Sequence, residues 1–293
     1  MADGNGQRTQ RRLKERTVTQ DSRGATKGNG ISGLPGFDAS VANSARMWNY
    51  WIGGKDNFRA DREAGNKVLE AMPELPRVAR LLRRFLTTTV DELTAAGVRQ
   101  FLDIGTGLPT ADNTHDVAQR AASESRIVYV DHDPVVMSHA RALLTSSAEG
   151  TTDYIQADLR DWATVSDGAQ RTLDFSRPVA VLLIAVLHFI GDAENPHRII
   201  SELMADLAPG SYLVIAHAAS DIEAATAAAM ARSYNATSSL TITPRDRATV
   251  TRFFDDMEMT GPGLMPLDQW WGPSPATTAG SGLSCYCGIA TKP

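Results

Sequence analysis

From Arg99 onward the chain alternates short apolar runs with amphipathic stretches, and this alternation limits the folds open to it. The runs Gln100 to Ile104, Arg126 to Val130, Asp153 to Gln156, Val179 to Ala185 and Tyr212 to Ala216 have the length and apolar content of strands. Between and after them, Ala111 to Ala122, Pro134 to Leu144, Pro196 to Leu207 and Ile222 to Tyr234 carry apolar residues at helical spacing. Strands separated by helices return parallel, and right-handed crossovers then put helices on both faces of the sheet. Val179 to Leu187 has nine residues without a polar interruption, as a central strand covered on both faces requires. It is also the longest apolar run, and a bilayer-spanning helix needs about 18 or more residues, so no membrane partner is expected.

Other segments flank this unit. Ser40 to Ala96 reads as helical, with Leu75, Val78, Leu81, Leu82, Phe85, Leu86 and Leu93 forming one buried stripe and Gly97 as the stop. Near the other end, Thr243-Pro244 reads as a cap and first-turn proline for a helix over Arg245 to Met257. Two last strands, Glu258 to Thr260 and Ser284 to Ala290, make a hairpin-like edge, for seven strands in all. The expected organisation is a tail (1–38), a helical extension and lid (39–97) and a Rossmann-like domain (98–293).

Residues 1–30 hold seven bases and three acids, whereas the rest of the chain holds 22 bases and 31 acids. A basic tail therefore precedes an acidic body, although the net charge is only -5. With five hydrophobic residues in thirty, the tail reads as disordered and dispensable. An acidic body opposes a duplex, whose phosphates need a basic footprint, so nucleic acid is not the expected partner. The N-terminus has no apolar core of a secretory signal, and Cys285 and Cys287 stand too close together for a structural staple, which points to the cytoplasm. The sequence is silent on oligomeric state.

The chemistry concentrates at strand ends. Phe101 to Thr110 reads as strand, glycine turn and helix start, with Gly105 and Gly107 letting the backbone approach a ligand closely. A dinucleotide site wants Gly or Ala where Thr110 stands; Pro109 removes an amide donor, and Asp103 suits an ammonium better than a diphosphate. Asp131, after the second strand, can accept from a ribose diol, and Asp158, after the third, from an adenine amine. Singly, each acid reads as a helix cap. Together, after three consecutive strands, they read as a nucleoside site.

The set resembles the class I S-adenosylmethionine-dependent methyltransferases. Ala45-Arg-Met-Trp-Asn-Tyr-Trp-Ile-Gly-Gly-Lys-Asp-Asn-Phe58, Ala60-Asp-Arg-Glu63, Leu102 to Thr110, Asp133-Pro134 and Val181 to Ile190 are similar to an actinobacterial methyltransferase family long carried as a domain of unknown function. The likeness covers residues 40–290. It implies a Rossmann-like, mostly parallel α/β sheet, S-adenosyl-L-methionine as cofactor, and a site of Tyr50, Gly54, Lys55, Asp103, Gly105, Thr106, Gly107, Asp131, His132, Asp158, Leu159 and Ala185. His132 stands where that family is expected to carry Asn.

Methyl transfer needs alignment, dryness and at times a base. Trp48 to Phe58 is the candidate lid, with Lys55 or Arg46 as partner for the methionine carboxylate; alternatively Trp48 and Trp51 only anchor a helix on the core. His188 is the candidate catalytic base, the alternative being a structural histidine bonded to backbone, and His217 is a weaker candidate. The Asn/Asp-Pro-Pro-aromatic signature of enzymes that methylate DNA adenine or glutamine is absent. His115, His132, His139 and His197 make no ligand spacing with Cys285-x-Cys287, so no metal is expected. The expected activity is methylation of a small-molecule acceptor. A non-catalytic S-adenosylmethionine-binding regulator is the alternative, and Thr110, Pro109 and Asp103 weigh against a nicotinamide oxidoreductase.

Overall fold

The computed structural model describes residues 37–272 and 283–293. Apart from Phe37 and Asp38, the basic tail expected over 1–38 lies outside the described residues.

Three helices come first: α1 (Ser44–Trp51), α2 (Arg59–Ala71) and α3 (Leu75–Ala95). Strands and helices then alternate as β1 (Gln100–Ile104), α4 (Thr114–Ala121), β2 (Arg126–Asp131), α5 (Pro134–Leu143), β3 (Thr151–Gln156), α6 (Trp162–Ala169), β4 (Ala180–Ile184), α7 (Pro196–Ala205), β5 (Tyr212–Ala218) and α8 (Ala224–Thr237). The chain closes with α9 (Arg247–Thr251), β6 (Glu258–Met259), β7 (Met265–Pro266) and β8 (Cys285–Thr291). The sheet order is β3-β2-β1-β4-β5-β8-β6, with β7 also on β8. Strands β1 to β5 are parallel, and β8 runs antiparallel between β5 and β6. The order reverses between β1 and β4, which opens a crevice at the carboxyl ends of the strands.

Successive strand residues point to opposite faces, and this divides the core. Phe101, Tyr129, Leu182 and Val214 face α1, α3 and α4, whereas Leu102, Val128, Leu183 and Leu213 face α6, α7 and the segment 250–254. The N-terminal helices thus share the sheet's own core. In α3 the expected stripe is buried, with only Leu81 partly exposed.

Three features depart from the sequence expectation. The sheet has eight strands, because the two-residue β7 adds to β8. Helix α6 is additional to the helices expected from the sequence; Asp161 caps it through the Thr164 amide, and Trp162, Val165 and Ala169 bury its apolar side. The helix expected over Arg245 to Met257 contracts to α9, whose cap is Asp246. Arg245 is held out of it: its N–H donates to Ala218 O at 3.0 Å and its carbonyl accepts from Ser220 N at 2.9 Å. Among the described residues no helix is long and apolar enough to cross a membrane.

Candidate active site

The crevice holds a cavity of about 260 Å³. One wall comes from the ends of β1 to β3. Gly105 and Gly107 have φ of +72° and +67°, in the left-handed region that favours glycine. A Cβ on Gly105 would also overlap the Val186 side chain, so this turn lies directly against the loop after β4. Asp131, buried at the end of β2, organises the wall: Oδ2 accepts from Gly107 N and Oδ1 from Asp133 N, both at 3.0 Å. Each oxygen keeps lone-pair capacity for a further donor. Burial raises the Asp131 carboxyl, with these two N–H donors opposing the shift.

Asp103, buried at the end of β1, accepts from Thr114 Oγ1 at 2.6 Å. Burial pushes it up to about 6, opposed by the Thr114 bond and then by the positive charge of Arg83. Asp158 accepts from Arg160 N at 2.9 Å and pairs with Arg160 Nη1 at 2.7 Å. Thr106, Leu159 and Ala185 also line the cavity, as does the half-exposed His132, whose Nδ1 lies 3.5 Å from Asp131. Ala185 has φ +59°, a strained value for a residue with a side chain, and its N–H donates to Ala216 O at 2.9 Å.

Tyr50, Gly54 and Lys55 are not brought to this cavity. The Tyr50 hydroxyl donates to Asn66 Oδ1 at 2.8 Å, and Lys55 is exposed. Asn49 is buried and ties their segment into a turn: its carbonyl accepts from Gly54 N at 2.8 Å and its Oδ1 from Asp56 N at 3.0 Å. Arg46 is not at the cavity either. Its Nε donates at 2.9 Å to the fully buried Asp61, which also accepts from Asn43 N and Phe58 N. The extension instead lines the cavity with the α1 face bearing Ser44, Ala45, Trp48 and Trp51, and with Met72 and one face of α3.

Arg83, from α3, lines the cavity where neither Lys55 nor Arg46 does. Its Nη2 donates to Ala111 O (2.9 Å) and Asp112 O (2.6 Å), while Nε is buried with no partner among the described residues. Its position in the chain gave little signal, since an arginine beside Leu82 in an amphipathic helix reads as the edge of a stripe. Helix α8 gives Met230 and Tyr234 to the cavity wall.

The two candidate bases separate. His217 is fully buried, with Nδ1 2.8 Å from Ala218 O and Nε2 2.9 Å from Arg245 Nη1. Since arginine only donates, Nε2 accepts and Nδ1 carries the proton. Burial pushes His217 down to about 3, so it is a neutral strut. His188 lines the cavity, and its buried Nδ1 has no partner among the described residues. Burial, and next the neighbouring His217 and Arg245, hold it well below the usual histidine range. Arg245 also fixes its loop by donating to Leu187 O (3.2 Å) and Ile190 O (2.6 Å), and Thr243 N donates to His188 O at 2.7 Å. Among the described residues no group of three or more His, Cys, Asp or Glu is placed to hold a metal.

The family model for S-adenosyl methyltransferases matches residues 34–293. The chain is similar to a duf574 family protein from Streptomyces avermitilis, with 39% identity, TM-score 0.82, and coverage of 87% of this chain and 99% of that one. It is also similar to a protein from Thermobifida fusca provisionally named a methyltransferase, with 34% identity, TM-score 0.80, and coverage of 88% and 97%. Among curated proteins none matches.

Proposed function

The chain belongs to the S-adenosyl methyltransferase family and is an S-adenosylmethionine-dependent methyltransferase, and from that premise we propose how its residues hold the cofactor and what kind of molecule they methylate. Asp131 takes the ribose diol on the lone pairs left by Gly107 and Asp133, with Thr106 and Gly107 giving the close backbone approach. His132, Asp158 and Leu159 flank the adenine. Asp103 receives the methionine ammonium, and the guanidinium of Arg83, which lines the same cavity, the carboxylate. When bound, the cofactor supplies an electrophilic methyl on a sulfonium; alignment and exclusion of water fall to the protein.

The observation that carries this reading is that one cavity joins the glycine turn and Asp131 to the unpartnered His188. His188 is the group that meets the acceptor beyond Ala185, and α1 is the lid. The acceptor is a small molecule, because the cavity of about 260 Å³ is walled on its far side by α1, α8, Leu240 and Ile242. The acidic body disfavours a nucleic-acid acceptor, and the two buried free thiols suit the reducing cytoplasm. Calorimetry with S-adenosylmethionine and S-adenosylhomocysteine tests the cofactor site. Binding of both, lost in Asp131→Ala, supports it; failure of the folded protein to bind either overturns it. Release of S-adenosylhomocysteine across a metabolite panel then reads the acceptor.

A further inference from the structure

The cavity is charged at one end only. Every Asp and Arg among its described lining residues (Arg83, Asp103, Asp131, Asp133, Asp158, Arg160) comes from α3 or from the ends of β1 to β3. The other half lies under Trp48, Met72, Phe189, Met230, Leu240 and Ile242; no Asp, Glu, Lys or Arg of the described lining belongs to it, and the nearest, Arg160, ends on Phe189 O at 3.3 Å. Its Cys285 thiol and Tyr234 hydroxyl are both pushed up to about 12 by burial, so they stay neutral. Ser284 Oγ is engaged with Ile222 O at 2.8 Å. The unpartnered buried nitrogen of this half, among the described residues, is Nδ1 of His188, a residue that is 9% exposed.

Behind that ring stands a buried cation. The His217 ring lies 5.8 Å from the His188 ring and accepts from Arg245, whose side chain is 3% exposed. The carboxylate paired with Arg245, Asp192, is 76% exposed, so water screens the negative charge more than it screens the buried positive charge behind the two rings. A positive field in a poorly hydrated pocket repels an ammonium and favours an oxyanion. Anion and sulfonium also neutralise each other as the methyl moves, which a site of low dielectric rewards.

Building on the methyltransferase reading, we propose that the acceptor is an apolar, aromatic molecule methylated on oxygen and bound as its phenolate or enolate, with an N–H of the His188 imidazole donating to that oxygen. The acceptor's proton goes to solvent before binding. The oxygen pair then forms the new O–C bond while the S–C bond breaks with its electrons remaining on sulfur, so no base is consumed in the step. An amine is the disfavoured acceptor, because the described lining of this half offers no carboxylate for an ammonium and no strong base to deprotonate one.

The test uses the full chain saturated with S-adenosylhomocysteine, with 2-naphthol and (2-naphthyl)methylamine as probes. The expected result is that 2-naphthol binds and shows the absorption band of its anion at a pH where the free compound is protonated, while the amine binds at least about tenfold more weakly. His188→Leu is expected to lose the anion band and about tenfold in naphthol affinity, whereas His188→Asn, which keeps an N–H donor, retains both. Equal or tighter binding of the amine, naphthol bound in its protonated form, or no naphthol binding to the saturated protein would each overturn the proposal. S-adenosylhomocysteine affinity, measured in the same samples, reads the underlying methyltransferase assignment separately.

Discussion

The Asn43 amide donates to Asp133 Oδ2 at 2.7 Å across ninety residues of chain. One end of this bond is the N-cap of α1, where Asn43 Oδ1 accepts from Arg46 N. The other is the N-cap of α5, where Asp133 Oδ1 accepts from Val135 N at 2.7 Å. Asp133 in turn donates its N–H to Asp131, so the helix over the cavity is tied in two steps to the carboxylate assigned to the ribose.

Asn43→Ala removes both a cap and a charge-assisted bond and should cost about 2 kcal/mol of stability in urea unfolding. Asn43→Ser keeps a capping oxygen but is too short to reach Asp133. It should recover about half of that loss while cofactor affinity stays reduced, which separates capping from the link to the site.

Asp131→Ala should weaken S-adenosylmethionine binding by roughly 1.5 to 3 kcal/mol in calorimetry. Asp131→Asn is the sharper variant. One carboxylate oxygen becomes an NH2 donor facing the N–H of either Gly107 or Asp133, so the loop is expected to loosen as well. Unaltered affinity in both variants would remove the ribose assignment.

Asp103 makes cofactor affinity depend on pH. Its buried carboxyl titrates at about 6 against an ordinary 3.8. Between these values the folded chain holds a proton that the unfolded chain has released, so this group's contribution to stability falls as pH rises through that window and is constant above it. An ammonium ligand needs the ionised form. S-adenosylmethionine should therefore bind about tenfold more weakly at pH 5 than at pH 7, with proton release on binding near pH 6. In Asp103→Asn this pH dependence should vanish while affinity is lower throughout.

Arg83→Gln should weaken S-adenosylmethionine more than it weakens 5′-methylthioadenosine, which has no amino-acid carboxylate. A loss of about 1.5 kcal/mol for the first and little for the second is the expected pattern in competition binding. Equal losses would mean that Arg83 only braces Ala111 and Asp112.

Local signals made the parallel sheet and its strand-end acids legible. The glycine turn, the continuous apolar run of β4 and the acid after each early strand each act within a few residues of themselves. What escaped depends on contacts distant in sequence. Arg245 looks like the start of a helix until the edge of β5 captures its backbone and His217 its side chain. Arg83 reaches the cavity because Ala111 and Asp112 receive it. Which of His188 and His217 remains unpartnered likewise turns on Arg245, 57 and 28 residues away in the sequence.

The Gly53 to Phe58 segment carries the last prediction, because its conspicuous sequence invites a direct role at the cavity that its contacts do not support. Gly53 has φ +84°, and a Cβ on Gly54 would overlap the buried Asn49 side chain. Asn57 Nδ2 donates to Asn49 Oδ1 at 3.0 Å and to Gly54 O at 2.9 Å, which closes the turn that leads into α2. The glycines and asparagines are therefore required by packing around Asn49. Gly54→Ala should cost about 1 to 3 kcal/mol in thermal or urea unfolding, with cofactor affinity per folded molecule unchanged. Lys55→Ala, at an exposed position, should alter stability by less than about 0.5 kcal/mol and leave S-adenosylhomocysteine affinity as it was. Hydrogen exchange gives the decisive comparison: on adding S-adenosylhomocysteine, amides of α1 should slow more than those of residues 53–57. A drop in affinity for Lys55→Ala, or protection centred on 53–57, would restore this segment as the lid and displace α1 from that role.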